Sequence, residues 1–343
     1  MEYPRSTQAL LDLLPATAPL PALDIASSGG AVALVVGCAY VNADLTACTE
    51  AREAGVVEVV HTDTPPPGPY RLICFDARTY DPGLAAETLA AAAARLSPDG
   101  LLLTTARLAD VSALFARVEQ AGEAILARSP LPSPPAPAWS EYSVTFQDQT
   151  FRLQTAPGVF SPGGLDEGTR LMLTHITANP GDRFLDLGCG TGVVSRIASA
   201  LWHCQVTAVD VNARALRLAA LNAPEAEVIA SDGFTYLSGR QFDLIASNPP
   251  YHTDFAVARA FIEGAFSHLS TGGTLYLVVK RADWYVAKVR SIFGGCRQIE
   301  QDGYTLIISE KRAARPRPAE SKPATTRKHA QRMAEASKKK TRR

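Results

Sequence analysis

The sequence has few of the features that mark secreted, membrane-bound or metal-binding proteins. Its six cysteines form no CxxC pair and no metal-ligand spacing, which predicts reduced thiols and no metal site. The longest apolar run, residues 31–41, is too short to span a bilayer. No basic segment precedes an apolar core at the N-terminus, which argues against a secretion signal. We therefore expect a cytoplasmic, monomeric protein with no membrane partner.

A net charge is also lacking, because the formal charge of the chain is zero. This average hides an asymmetry, since residues 313–343 hold eleven Arg and Lys residues against two Glu. The rest of the chain is correspondingly acidic. Such a run predicts a disordered basic tail that meets a polyanion through its phosphates. The alternative is a solubilising tail with no partner.

The 343 residues suit two domains of ordinary size. An amphipathic helix is predicted near residues 7–14, and alternating strands and helices follow. In the first half we predict strands at 31–36, 56–61, 71–75 and 101–105 with helices at 42–54 and 82–96. In the second half we predict a hairpin at 141–155 and a closing pair of strands at 297–301 and 304–310. Between them we predict strands near 183–187, 205–210, 226–230, 242–247 and 273–280. The predicted helices lie near 166–177, 193–202, 212–222, 255–269 and 283–293. This alternation predicts an α/β fold with doubly wound, mostly parallel sheets.

Residues 129–138 contain five prolines and are interpreted as a stiff linker between domains. The alternative is a long loop within one domain. The linker reading predicts a first domain at 1–128, a second at 139–312 and the basic tail at 313–343.

The two halves resemble each other in sequence, as an old duplication would give. We align residues 34–38 with 185–189, 72–76 with 244–248, and 96–100 with 269–273. Under this alignment Asp186, Gly190 and Gly192 become Val35, Ala39 and Val41. Asp210 likewise becomes His61, and residues 248–251 become 76–79. The alignment predicts a first half that keeps the fold and has lost its ligand site.

The stretch 186–192 reads Asp-Leu-Gly-Cys-Gly-Thr-Gly between a predicted strand and a predicted helix. Its three glycines allow a sharp turn and close approach to a ligand. A dinucleotide fingerprint would need a glycine at Val193. We therefore expect Asp186 and the loop amides to hold the charged end of a cationic cofactor, with these residues as the binding loop: Gly188, Cys189, Gly190 and Gly192.

Three further residues are candidates for the same site. Asp210 ends the second strand, 22 residues after Gly188, where an acid accepts hydrogen bonds from ribose hydroxyls. Its alternative role is a helix cap. Asp232 follows the third strand and is placed to accept from an adenine amino group, or to form a turn. Phe160 is interpreted as a wall for the cofactor or a flipped base, or as a core residue.

The fourth predicted strand is followed by Asn248, Pro249, Pro250 and Tyr251. The two prolines make the loop rigid. The Asn248 oxygen and a neighbouring carbonyl can then accept both protons of a planar exocyclic amine, and the Tyr251 ring offers a face for stacking. These four residues are the predicted catalytic set.

These motifs resemble those of class I S-adenosylmethionine-dependent methyltransferases. With residues 157–161, 165–169 and 302–304, the chain is similar to the tandem-domain bacterial ribosomal RNA guanine-N2 methyltransferases. The resemblance implies two Rossmann-like methyltransferase domains, the first degenerate, and S-adenosylmethionine as cofactor without a metal. It implies methyl transfer to an exocyclic amine of ribosomal RNA or the small ribosomal subunit, most closely guanine N2 of 16S rRNA, with the tail on RNA phosphates.

Alternatives remain open at this point. Tyr after the two prolines is frequent in adenine-N6 and protein-glutamine N5 methyltransferases. A function of another class is that of a non-catalytic RNA-binding factor in ribosome assembly, which the intact Asp186, Asp210 and Asn248 disfavour. A nicotinamide oxidoreductase is disfavoured by the glycine spacing.

Overall fold

The computed structural model describes residues 3–131, 139–249 and 255–313. We call 3–131 the first half and 139–313 the second half. The first half contains, in chain order, α1 (Arg5–Asp12), β1 (Ala22–Ile25), α2 (Ala31–Val36), β2 (Ala39–Asn42), α3 (Leu45–Glu53), β3 (Val59–His61), β4 (Tyr70–Phe75), α4 (Pro82–Arg95), β5 (Leu96–Thr104), α5 (Leu108–Ser112), β6 (Phe115–Ala121) and β7 (Ala124–Pro130).

The second half begins with a separate hairpin and continues as an α/β unit. Its elements are β8 (Ser140–Phe146), β9 (Gln149–Thr155), α6 (Glu167–His175), β10 (Arg183–Leu187), α7 (Val193–Ala200), β11 (Gln205–Asp210), α8 (Ala213–Asn222), β12 (Glu227–Ala230), β13 (Phe242–Ser247), α9 (Phe255–His268), β14 (Leu269–Val279), α10 (Ala282–Phe293), β15 (Arg297–Gln301) and β16 (Tyr304–Glu310).

The two seven-stranded sheets have the same strand order. It is β3-β2-β1-β4-β5-β7-β6 in the first half and β12-β11-β10-β13-β14-β16-β15 in the second. In each sheet the first five strands are parallel and the last two pairings are antiparallel, so only the sixth strand of the order runs in the opposite direction. Because the order reverses beside β10, a crevice opens at the carboxyl ends of the central strands, where ligands bind in folds of this kind. The expected α/β architecture of two doubly wound, mostly parallel sheets is confirmed.

Local sequence explains many of the element boundaries. The β8–β9 hairpin turns at Gln147 and Asp148, both with positive φ, as a two-residue turn between strands requires. Asp81 and Asn212 cap α4 and α8 by accepting backbone N–H bonds. Central strands such as β10 are apolar and buried on both faces, as parallel strands covered by helices must be.

The sequence-based prediction was wrong at residues 31–36, which form the short helix α2 and not a strand. The strand that heads the first sheet is β1, at 22–25. An apolar run of six residues fits a buried strand and a buried helix equally well, so periodicity alone does not separate them. The β6–β7 hairpin also went unassigned in the sequence.

This error changes the alignment of the two halves. The register of β1 with β2 and β4 repeats that of β10 with β11 and β13, which places Asp24 where Asp186 stands. Both carboxylates accept the amide nine residues later, from Ala33 at 2.9 Å and from Ser195 at 3.0 Å. Asp186 therefore corresponds to Asp24 and not to Val35.

The other equivalences follow from the same registers. Gly190 and Gly192 correspond to Ser28 and Gly30, not to Ala39 and Val41. Asp210 corresponds to Asn42, because His61 pairs with Asn42 as Ala230 pairs with Asp210. The alignments of 72–76 with 244–248 and of 96–100 with 269–273 agree with the strand registers.

The first half has lost its crevice through a contact between α1 and the loop after β1. The Ser28 amide donates to Thr7 Oγ1 at 3.1 Å, and Thr7 Oγ1 donates to Asp76 at 2.7 Å. In the second half the equivalent Gly190 amide donates instead to Asp210 at 2.9 Å, which leaves space between α6 and the loop. The first half is thus degenerate by closure as well as by substitution.

Equivalent residues of the two halves meet at a local pseudo-twofold contact. Asp44 and Asn212 cap α3 and α8 and form an antiparallel bridge with each other. The Leu45 amide donates to Val211 O at 2.9 Å, and its counterpart, the Ala213 amide, donates to Ala43 O at 2.7 Å. Across the described ranges, no helix is both long and apolar enough to cross a membrane.

Candidate functional site

A cavity of about 440 Å³ opens at the carboxyl ends of β10, β11 and β13. It lies at the point where the strand order reverses, so topology and cavity agree. Most of the predicted site residues line it together: Phe160, Asp186, Gly188, Cys189, Gly190, Asp210, Asp232, Asn248 and Pro249. Residues from distant parts of the chain are therefore brought to one crevice.

Asp186 forms the floor of the cavity at the end of β10. Its Oδ2 accepts from the Ser195 amide at 3.0 Å and from Ser195 Oγ at 2.6 Å. The side chain is 3% exposed, and burial raises its pKa to about 6, although the Ser195 bonds oppose this shift. A buried carboxylate that titrates near neutrality is poised to gain from a cationic ligand.

The loop amides do not play the part expected from the sequence. The Gly188 and Cys189 amides both donate to Val209 O at 2.9 Å, and the Gly190 amide donates to Asp210 Oδ2. These three donors are satisfied inside the protein, so they do not form a cradle of unpaired N–H groups for an anion. The loop instead brings glycine Cα atoms, with positive φ at Gly188 and Gly190, to the edge of the cavity.

Gly192 has a packing role. It is absent from the described residues that line the cavity, and a Cβ placed on it would lie 2.8 Å from the Ala219 Cα. Gly192 therefore lets α7 approach α8 closely, which holds the loop in position from behind. Its equivalent in the first half, Gly30, is similarly close to Ala51 and Val56.

Asp210 stands at the end of β11 and joins two segments of the site. One carboxylate oxygen accepts from the Gly190 amide and the other accepts from the Asn212 amide, both at 2.9 Å. Burial raises its pKa above the ordinary value. The α8 cap is Asn212 and not Asp210, so the helix-cap alternative is wrong. Asp232 lines the same cavity beyond β12.

Asn248 follows β13 and its side-chain amide is held from one side. Its Nδ2 donates to Asp166 Oδ2 and to Thr169 Oγ1, each at 2.9 Å. Asp166 is itself fixed, because its Oδ1 accepts from Tyr304 Oη at 2.8 Å. With the nitrogen bound to α6, the amide oxygen is turned away from that helix. Both amide protons of Asn248 are thus donated to groups within the protein, which fixes the orientation of its side-chain oxygen.

Phe160 is 54% exposed and lines the cavity, so it is not a core phenylalanine. It belongs to the loop between β9 and α6, which forms one rim of the opening. Pro249 lines the cavity beside Asn248. The two remaining predicted catalytic residues, Pro250 and Tyr251, lie outside the described residues.

The charged side chains that line the cavity are all acidic. Its described lining includes five aspartates and no lysine, arginine or histidine. The five are Asp44, Asp166, Asp186, Asp210 and Asp232. Such a lining repels a pyrophosphate and favours a ligand that carries positive charge, hydroxyl groups and an amine.

Comparison with known proteins agrees with this geometry. Residues 150–308 match the family model described as Methyltransferase small domain. The matched residues run from β9 to β16 and so take in most of the second half. Curated relatives named "Ribosomal RNA small subunit methyltransferase C" are 36% identical over 187 residues in Serratia proteamaculans and 40% identical over 176 residues in Escherichia coli O7:K1. The alignments cover 52% and 48% of this chain and 54% and 49% of those proteins, so the match spans about half of their length.

A solved structure resembles the chain over both halves. It is described as the T. thermophilus 16S rRNA N2 G1207 methyltransferase in complex with AdoMet and guanosine. The TM-score is 0.77, the identity is 22%, and the match covers 90% of this chain and 92% of that one. At this identity the likeness concerns the fold, and it extends over the tandem arrangement of both halves.

Several residues at the cavity were given no individual role in the sequence analysis. Asp166, Thr169 and Tyr304 orient Asn248 from α6 and β16, and in the sequence they appeared only as parts of a family motif. Asp44 and Thr46 of the first half also line the cavity. No sequence signal pointed to these two residues, because their contribution depends on how the halves pack. Within the described ranges, no group of three His, Cys, Asp or Glu residues could hold a metal ion.

Proposed function

We propose that this protein is an S-adenosylmethionine-dependent methyltransferase that modifies an exocyclic amine of 16S ribosomal RNA, namely guanine N2. The observation that carries the proposal is the acidic cavity with the oriented Asn248 amide at its edge. A cofactor cavity and an amine acceptor lie within one crevice, and methyl transfer to nitrogen needs both.

The residues present suit S-adenosylmethionine. Asp186 holds the amino-acid end, Asp210 accepts from the ribose hydroxyls, and Asp232 accepts from the adenine amine. Cys189 and Gly190 would contact the cofactor at the edge of the cavity, and Phe160 would contact it from the rim. When bound, this cofactor supplies an electrophilic methyl group on a positively charged sulfur. The five-aspartate lining stabilises that charge and disfavours dinucleotides.

Asn248 selects and orients the acceptor. Its oxygen accepts a hydrogen bond from the exocyclic amine, which holds the nitrogen lone pair in line for transfer. Pro249 and Pro250 keep the loop rigid, and Tyr251 stacks on the base. Asp166 contributes by positioning Asn248, because its carboxylate accepts from the Asn248 amide and from Tyr304 Oη. In this step the nitrogen–carbon bond would form as the carbon–sulfur bond breaks, and the amine would lose one proton to water.

The RNA substrate is supported by the similar proteins. The names of the curated relatives specify the small ribosomal subunit. The matched structure is described as a 16S rRNA methyltransferase with guanosine bound. The target base must leave its stack to enter the crevice, at a cost of roughly a few kcal/mol. The basic tail at 313–343 contacts RNA phosphates, and a cytoplasmic monomer with domains at 1–128 and 139–312 is the acting species.

The test is labelled methyl transfer by the full chain. S-adenosylmethionine with a labelled methyl group is offered with stripped 16S rRNA, intact small subunits and total protein in separate reactions. We expect label in RNA, and N2-methylguanosine after digestion to nucleosides. Label confined to protein, or N6-methyladenosine in the digest, contradicts the proposal.

A variant series locates the chemistry. Asn248→Ala is expected to lower the rate of transfer by at least about a hundredfold, by analogy with removal of an orienting donor or acceptor, while cofactor binding persists. Asp166→Ala is expected to lower kcat less, because the amide then samples other orientations. Asn179→Ala is the matched control, since Asn179 hydrogen-bonds Asp182 at the surface. Loss of cofactor binding in Asn248→Ala contradicts the role assigned to this residue.

A further inference from the structure

The wall of the cavity beside Asp210 is built partly by the first half of the chain. Asp44 and Thr46, at the start of α3, are among the residues that line it. The lining otherwise comes from the second half. The cavity is therefore incomplete in a methyltransferase domain that stands alone.

Backbone contacts hold this wall in place. Val211, the residue after Asp210, accepts from the Leu45 amide at 2.9 Å, and its carbonyl also lies 2.9 Å from His61 Nε2. Asp44 bridges Asn212 on the same segment. The position of Asp210 is thus tied to two elements of the first half, α3 and β3.

The Asp44 carboxylate both caps a helix and contributes charge to the cavity. Its Oδ1 accepts from the Thr46 amide at 2.7 Å and from the Ala47 amide at 3.2 Å, which caps α3. The side chain is exposed toward the cavity, and its negative charge contributes to raising the pKa of Asp210. Two carboxylates on adjacent segments favour a ligand that brings hydroxyl or amine donors between them.

Sheet order fixes which half of the ligand this wall meets. Asp44 reaches the cavity at β11, whereas Asn248 follows β13 on the other side of β10. The methyl acceptor therefore lies on the side away from α3. Under the proposed function Asp210 at the end of β11 accepts from the ribose, so the wall beside it would meet the nucleoside half of the cofactor.

We infer that the first half completes the cofactor site, with Asp44 and Thr46 binding the nucleoside half of S-adenosylmethionine. This inference rests on the proposed function. It assigns the degenerate first half a direct part in cofactor affinity, in addition to its packing against the second half.

The test measures dissociation constants by calorimetry for S-adenosylhomocysteine and for 5′-methylthioadenosine, which lacks the amino-acid end. Asp44→Ala is expected to weaken both ligands by about tenfold, the effect of losing one hydrogen bond to a charged group. Asp81→Ala is the matched control, because Asp81 caps α4 in the same half and is not among the described residues of the cavity lining. Its ligand affinities should equal those of the wild type.

The outcomes separate the two proposals. If the wild type binds neither ligand, the proposed function fails. If the wild type binds both and Asp44→Ala binds as tightly as Asp81→Ala, the inference is overturned. A loss confined to S-adenosylhomocysteine would move Asp44 to the amino-acid end and also overturn it. Asp44→Asn keeps the α3 cap, so a smaller loss in the same direction is expected if Asp44→Ala does not fold.

Discussion

Arg214 of the second half and Asp63 of the first form a buried ion pair, with Arg214 Nε donating to Asp63 Oδ2 at 3.0 Å. Their side chains are 3% and 5% exposed. By strand register Asp63 occupies the position of Asp232, the proposed adenine acid of the second half. An acid from the ancestral ligand site has thus become part of the contact between the halves.

Removing this arginine should destabilise the whole protein. Arg214 also donates to Glu87 Oε2 and to Pro157 O, so Arg214→Ala removes a buried cation from Asp63 and Glu87. Asp63 then keeps the partly exposed Arg217, at 3.3 Å, as a cationic partner. We expect a loss of about 3–5 kcal/mol in the free energy of unfolding, as for other broken buried pairs. Urea denaturation followed by fluorescence measures it. Arg78→Ala breaks an exposed pair with Glu123 and should cost under about 1 kcal/mol; equal losses would show that burial of Arg214 does not matter.

Alanine substitutions at two glycines of the 186–192 loop should have different effects, one on stability and the other on cofactor binding. Gly192→Ala forces a methyl group against the backbone of Ala219 at positive φ, so we expect a loss of about 1–3 kcal/mol in stability. In Gly190→Ala the new methyl group meets no atom within 4 Å, so the loss of stability comes only from the positive φ and is about 1–2 kcal/mol. However, its methyl group lies at the cavity, so cofactor affinity should fall most in this variant. Parallel unfolding and binding curves compare them, and a Gly192→Ala variant that is stable yet unable to bind would reverse the assignment.

The pH dependence of binding should report on Asp186. Its pKa is about 6 in the folded protein, above the ordinary 3.8, so its contribution to folding stability is full below the ordinary pKa and is lost as pH rises through 6. A cationic amine favours the carboxylate, so the opposite trend holds for binding. We expect S-adenosylhomocysteine to bind up to about tenfold more tightly at about pH 7 than at about pH 5.

Two comparisons isolate this carboxyl group, since the pKa of Asp210 is also raised. Asp186→Asn should flatten the pH profile of the dissociation constant for S-adenosylhomocysteine. For wild-type protein, 5′-methylthioadenosine should show a weaker trend because it lacks the amine. A profile that keeps its full slope in Asp186→Asn would assign the titration to another group.

The basic tail should govern the salt dependence of RNA binding. Eleven Arg and Lys residues in 313–343 can each displace a condensed counterion, so truncation after Arg312 should reduce the slope of log affinity against log salt by several units. Filter binding to 16S rRNA at about 50–200 mM salt measures this slope. A control chain with Gln in place of those basic residues keeps the tail length. If the slope is unchanged in both the truncated chain and the Gln-substituted chain, the tail does not contribute to RNA binding.

Local sequence was sufficient to predict most of the second half. The hairpin at 140–155, the strand at 183–187 and the closing pair at 297–310 were predicted within a residue or so of their observed bounds. Each has a strong local signal, either a two-residue turn or an apolar run followed by an acid and glycines. Asp186, Asp210 and Asp232, the acids predicted to meet a cofactor, line one cavity, because each lies at or just after the end of a strand at the same edge of one sheet.

The elements of the first half were harder to predict because its local sequence patterns fit more than one kind of secondary structure. Residues 31–36 are apolar and three of the six are the β-branched valine, yet they form a helix, since β1 at 22–25 already fills the strand position and the chain must turn at Gly30. The misplaced strand put Val35 in the place of Asp24 and hid Asp24 as the partner of Asp186. Only the strand registers revealed that the first half keeps its acid and has closed the crevice through Thr7.

The sequence by itself determined the α/β class and singled out the glycine loop and Asn248, which the structure brings to one cavity, because these features depend on spacing along the chain. The tertiary structure decided which residues complete the site. Asp166 and Tyr304 reach Asn248 from elements far apart in sequence, and Asp44 reaches the wall beside Asp210 from the other half. Such contacts depend on how strands order and how halves pack, and no local pattern encodes either.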